Sequence, residues 1–199
     1  MAYAHDVFIS YRHHKEWPKW IRNIFYDIFD HWLGEELGRD CSIFIDYQLE
    51  TGHNWPAQLA DSLSRSRVLV PLWSPQYFNS NWCLREIALF AAREQATGFG
   101  TEENSQRLIV PAAIHDKDNF PEAARLIQFK EIQELCNIRT AYGSETLEKL
   151  SNEIRKWAPD ICHAINSAPV FNPDWTALAF EEFMDLFRNP SINPQMPRL

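Results

Sequence analysis

Residues Asn81-Trp82-Cys83-Leu84-Arg85-Glu86 come soon after an apolar strand signal and place an indole four positions before a carboxylate. The periodicity that continues through Ile87, Phe90 and Ala91 predicts a helix opening here. On a helix, positions i and i+4 share one face with Cβ atoms about 5 to 6 Å apart. A planar organic ring can then stack on Trp82 while Glu86 meets a sugar attached to it. Two plainer roles compete: an acid in a first helical turn favours the helix N-terminus by about 0.3 to 1 kcal/mol, and an indole commonly anchors a core.

Such a pair needs a scaffold, and the flanking sequence predicts one. Val7-Phe8-Ile9, Ile43-Phe44-Ile45, Val68 to Trp73 and Leu108-Ile109-Val110 are short apolar strand signals, with a weaker fifth from Ile127 to Ile132. Pro71 predicts distortion near the end of the third strand, because it cannot donate to a ladder. Between the strands, Trp17, Trp20, Ile21, Ile24, Phe25, Ile28, Phe29 and Trp32 recur at helical spacing, with Gly34 and Gly38 as candidate ends. Pro56 opens a second helix carrying Leu59, Ala60 and Leu63, and a long one runs from about Glu145 to Ile165.

Short apolar strands alternating with helices predict a parallel sheet covered on both faces: an α/β, flavodoxin-like doubly wound domain of about five parallel strands. In such folds ligands gather beyond the carboxyl ends of the strands. The segments beginning at Ser10, Asp46 and Ser74 would open on that one edge, beside Glu86. Residues 1–166 form the domain, and residues 167–199 a C-terminal helical extension. In the extension Pro169 and Pro173 bracket a linker, Asp174 caps a short acidic helix with Phe180, Phe183, Met184 and Phe187 on one side, and a loose proline-rich end completes the chain.

Composition narrows the function. The 199 residues carry 45% hydrophobic side chains, eight Trp and thirteen Phe, which is enough apolar mass for one sizeable core. A net charge of −8 without a run of basic residues argues against nucleic acid as a direct partner. Cys41, Cys83, Cys136 and Cys162 are scattered, with neither disulfide nor zinc spacing, which suits a reducing cytoplasmic setting. His13, His14, His53 and His115 lack ligand spacing, so no metal is expected. Cys83 has no His near it in sequence and reads as packing. The N-terminus lacks a signal peptide pattern and no segment is apolar for long enough to span a membrane. Neither G-x-G-x-x-G nor G-x-x-x-x-G-K is available, and Trp73-Ser74-Pro75 lacks the acceptor Asp of a phospho-receiver domain.

Asp6 to Arg12, Phe44-Ile45-Asp46 with Leu49 and Gly52, Val68 to Ser74-Pro75, and Trp82-Cys83-x-x-Glu86 occur in the order and spacing of a TIR (Toll/interleukin-1 receptor) domain, which this chain resembles over roughly residues 5–166. The family holds adaptors that act only by TIR–TIR association and enzymes that cleave NAD at the nicotinamide–ribose bond. The resemblance implies that Glu86 is the catalytic glutamate and Trp82 the aromatic residue before it. It also implies that Phe8, Ser10, Arg12 and His13 form the floor and rim of the pocket, with Asp46 and Ser74 at the same edge. The loop containing Leu49, Gly52, His53, Asn54 and Trp55 corresponds to the self-association segment. Arg12 suits a phosphate, although a solvated loop arginine is the plainer reading.

The resemblance implies a protein like the stand-alone bacterial members: an NAD glycohydrolase or cyclase in antiphage defence. It would be gated by homo-oligomerisation and would release nicotinamide with linear, cyclic or conjugated ADP-ribose, a product that a separate effector protein could sense. NAD would be the substrate, with no cofactor. The alternative is a non-catalytic adaptor.

Overall fold

The computed structural model of the protein describes residues 2–45 and 55–189. Five strands form one sheet: β1 His5–Tyr11, β2 Ile43–Ile45, β3 Ser66–Trp73, β4 Ala112–Ala113 and β5 Lys130–Glu131. Their order is β2-β1-β3-β4-β5 and every pairing is parallel, the doubly wound topology expected from the alternating pattern. The fifth strand is shorter than the predicted 127–132 segment.

Pro71 sits within β3 without ending it. The ladder to β1 is continuous at this point, with Ser10 opposite Pro71 and Tyr11 opposite Leu72. The interruption falls on the other side. There Leu69 bridges Ile109, and pairing resumes only at Leu72–Ala112 and Trp73–Ala113. Alternate residues of a strand direct their N–H and C=O to opposite neighbours, so a proline removes bonding on one side only. Pro111 lies in the same gap on the facing chain.

Helices cover both faces. On one, α1 (Trp17–Trp20) runs through a π-helical stretch, Ile21–Phe25, into α2 (Tyr26–Leu37), and both pack with α7 (Glu145–Ser167). Gly38, left-handed at φ 64°, ends α2, whereas Gly34 lies inside it. The other face carries α3 (Trp55–Ser64), the short α4 (Pro75–Phe78), α5 (Asn81–Thr97), α6 (Glu122–Arg125) and α8 (Asp174–Arg188). Alternation along β1 sends Val7, Ile9 and Tyr11 to the α2/α7 core and Phe8 to the α3/α5 core.

The C-terminal helix is part of that second core. Ala179, Phe183 and Leu186 are buried, whereas Phe180 and Phe187, expected on one side with Phe183, are 46% and 59% exposed. Spacings of four and three place 179, 183 and 186 on one stripe, and the flanking phenylalanines fall outside it. Burial of Phe183 and of Leu186 contributes about 1.5 to 3 kcal/mol each, so α8 is held firmly. Asp174 makes no side-chain cap. Its backbone N–H donates instead to Asn172 Oδ1 at 3.0 Å.

An ion cluster fixes the start of β1. Asp6 is buried and accepts from Arg39 Nη1 at 2.6 Å and Nη2 at 2.8 Å, and from the Ser42 backbone N–H at 3.0 Å. Burial alone would raise its carboxyl pKa, but the bonds from Arg39 and Ser42 and the charge of Arg67 outweigh it and hold the pKa below 3.8. A group with a depressed folded pKa stabilises above its unfolded value and loses that stabilisation as pH falls through the folded one. We therefore expect Asp6→Asn to destabilise by about 2 kcal/mol near neutral pH. The gap to the wild type should close below pH 3.8 in thermal melts.

Candidate active site

The strand order reverses between β1 and β3, and the side chains of interest collect at the carboxyl end of these two strands. Ser74 comes directly after β3 and caps α4: its side chain accepts from the Tyr77 backbone N–H at 3.3 Å, with Pro75 as the first helical residue. This short helix delivers Tyr77 into the α3/α5 core. Ser80 then caps α5, accepting from the Cys83 N–H at 3.4 Å, and so fixes the turn that carries Trp82 and, one turn on, Glu86.

Glu86 is 5% exposed and lies against Ser10, whose hydroxyl donates to Oε2 of the carboxylate. Ser10 Oγ is also 2.7 Å from the Tyr77 hydroxyl. Ser10 has one hydroxyl proton, and Glu86 accepts the hydrogen bond it makes. The short Tyr77–Ser10 contact is then closed by the Tyr77 proton, which Ser10 Oγ shares with the Cys83 carbonyl, and a chain of hydroxyls runs from Tyr77 through Ser10 to Glu86. The Tyr77 hydroxyl also lies 3.4 Å from the Cys83 carbonyl. Burial, reinforced by Cys83 and Glu86, pushes the Tyr77 phenol well above 10.0, so it remains a protonated donor at physiological pH.

Trp82 is partly buried, and its indole stacks on Phe183 of α8 with centroids 5.5 Å apart and planes 13° from parallel. The neighbouring Arg85 pairs with Glu182, again from α8. Beside Trp82, a cavity of about 230 Å³ is lined by Arg12, Asn79, Ser80, Asn81, Trp82 and Leu186. Arg12 Nη1 approaches Ser80 Oγ at 3.4 Å, which places its positive charge at the N-terminus of α5.

Of the residues singled out from the sequence, Glu86 bonds Ser10, Arg12 and Trp82 line the neighbouring cavity, and Ser74 follows β3 at the same edge of the sheet; Glu86 is not among the residues that line that cavity. Phe8 lies deeper, buried and stacked on Phe44 at 5.0 Å. His13 is exposed, its ring 4.7 Å from that of Tyr11. Asp46, Leu49, Gly52, His53 and Asn54 lie outside the described residues, and Trp55 begins α3. Among the described residues, no group of three His, Cys, Asp or Glu is placed to hold a metal ion. No helix among them is long and apolar enough to cross a membrane.

Tyr77, Phe183 and Leu186 join the site without being expected there from the sequence. The segment 74–81 reads as a loop, although Ser74-Pro75 is a cap before a first-turn proline and signals a helix that would place Tyr77 inward. Nothing local announces Phe183 or Leu186, because their partners lie about a hundred residues away.

The family model for the TIR domain matches residues 7–151. Among solved structures, the chain is similar to the TIR domains of the activated Roq1 resistosome, described as directly recognizing the pathogen effector XopQ. Identity is 16%, the match covers 92% of this chain and 99% of that one, and the TM-score is 0.41. No curated protein matches the chain significantly. With the motifs of β1, β3 and α5 falling inside a matched stretch that spans most of its length, the chain belongs to the TIR domain family.

Proposed function

We propose that this TIR domain cleaves NAD at the nicotinamide–ribose bond, with Glu86 as the catalytic carboxylate. The observation that carries this reading is the buried donor chain Tyr77–Ser10–Glu86 at the switch point of the sheet. Glu86 lies in the second turn of α5, past the first-turn positions where an acid favours the helix N-terminus. In the reaction the C1′–N bond breaks and its electron pair goes to the pyridinium nitrogen, so nicotinamide leaves neutral and needs no general acid. Positive charge builds on the ribose, and the Glu86 carboxylate stabilises it electrostatically and holds the ribose hydroxyls. Water or an internal nucleophile then bonds to C1′ and loses a proton, giving linear, cyclic or conjugated ADP-ribose. Ser10 and Tyr77 keep the carboxylate oriented, Trp82 meets a ring of the dinucleotide, and Arg12 meets its phosphates.

By family likeness, the setting is cytoplasmic antiphage defence and the active form is a homo-oligomer. Residues 46–54 form its self-association segment, and the product signals to a separate effector.

Wild-type protein incubated with NAD should release nicotinamide at a rate per subunit that rises with protein concentration. A specific observation favours a second reading, that of a non-catalytic adaptor: Glu86 is nearly covered and Trp82 is stacked on Phe183. Absence of nicotinamide release at every concentration, including assembled protein, would overturn the catalytic reading and favour the adaptor.

A further inference from the structure

The C-terminal helix lies beyond the stretch matched by the family model, yet three of its side chains reach the candidate site. Phe183 covers one face of the Trp82 indole, Glu182 pairs with Arg85 in the first turns of α5, and Leu186 lines the cavity shared by Arg12 and Trp82. We propose that α8 is a working wall of this site: Phe183 is a positioning residue that fixes the Trp82 ring, and Leu186 is a specificity-determining residue of a subsite for the ADP half of the substrate.

The inference rests on NAD being the substrate and deepens that reading. A helix kept only to shut the site would have to leave it, but Ala179, Phe183 and Leu186 are buried, the first two in the same core as Ile87 and Phe90. A fixed wall accords better with that packing than a displaceable plug. Phe183 occupies one face of the Trp82 indole, so that face is closed to a ligand. The adjoining cavity has the right chemistry for a nucleoside diphosphate: the Arg12 guanidinium, the Asn79 and Asn81 amides and the Ser80 hydroxyl for phosphate and sugar oxygens, and Trp82 and Leu186 for a base.

Changing Leu186 should therefore alter recognition of the ADP half and leave the carboxylate alone. Binding of ADP is measured by calorimetry on the full chain, alongside the kinetics of NAD cleavage and the melting temperature. Leu186→Phe should weaken ADP binding and raise KM for NAD by about tenfold, with kcat within about a factor of two, because added volume fills the subsite. Phe183→Leu, which stays apolar but loses the stacking face, should weaken ADP binding by about threefold. Unchanged ADP affinity in a folded Leu186→Phe protein whose wild type cleaves NAD would overturn the inference and leave the catalytic reading standing. A wild type that binds ADP with this Leu186 dependence but releases no nicotinamide would overturn the catalytic reading and keep the subsite. A wild type that binds no ADP would refute the subsite directly.

Discussion

Glu94→Ala should lower the melting temperature by roughly 10 °C, a large loss of stability for one residue. Glu94 is buried near the C-terminal end of α5, and Oε1 accepts from the backbone N–H groups of Leu108 at 2.6 Å and Ile109 at 3.0 Å. Oε2 accepts from Arg107 Nη1 at 3.0 Å. These bonds tie the helix to the point where the chain starts to pair with β3, since Leu69 N–H donates to the Leu108 carbonyl at 2.9 Å. Removing the carboxylate leaves two buried donors and a part-buried guanidinium without their acceptor, at a cost of about 3 to 5 kcal/mol in all. Glu94→Gln keeps one oxygen acceptor and should lose roughly half as much. Thermal melts of the three proteins at neutral pH decide it. A Glu94→Ala protein with the melting temperature of the wild type would show that the segment at Leu108 and Ile109 is held by other bonds.

Glu94 also marks what the sequence withheld. In Ala91-Ala92-Arg93-Glu94 nothing in the local pattern singles out the two adjacent charges, and both are buried. Arg93 donates to the Ser66 and Ser64 carbonyls at 2.7 and 2.9 Å, and its guanidinium lies 4.3 Å from the ring centroids of both Phe90 and Trp175. Most of these partners come from distant chain, and helical periodicity carries no information about those.

The apolar triplets at 7–9 and 43–45 were legible because a strand buried on both faces must be apolar throughout. Glu86 and Ser10 were legible as individual residues, since the order of strands and helices sends both to one edge. Their bond, and the Tyr77 that completes it, required the turn of α4. The fate of Trp82 was undecidable from spacing alone, because Phe183 approaches it from a helix outside the recognised motifs.

Glu86→Gln should reduce the rate of nicotinamide release by about 10²- to 10³-fold, the usual effect of removing one preorganised electrostatic stabiliser. Gln retains the size of the side chain and an oxygen that accepts from Ser10, so the fold should survive while the negative charge is lost. Ionised carboxylates are costly to bury, and the melting temperature should therefore not fall. Ser10→Ala keeps the charge but removes a donor to it. A bond to a charged group contributes about 1.5 to 3 kcal/mol, so this variant should lose about ten- to a hundredfold in kcat with KM little changed.

The most direct measurement is the rate of nicotinamide release from NAD by concentrated wild-type and Glu86→Gln protein, compared at equal melting temperature and equal assembly state. Turnover by the wild type with a loss of about a hundredfold or more in the variant is the expected result. Equal rates, or none from either protein, would contradict the role assigned to this carboxylate.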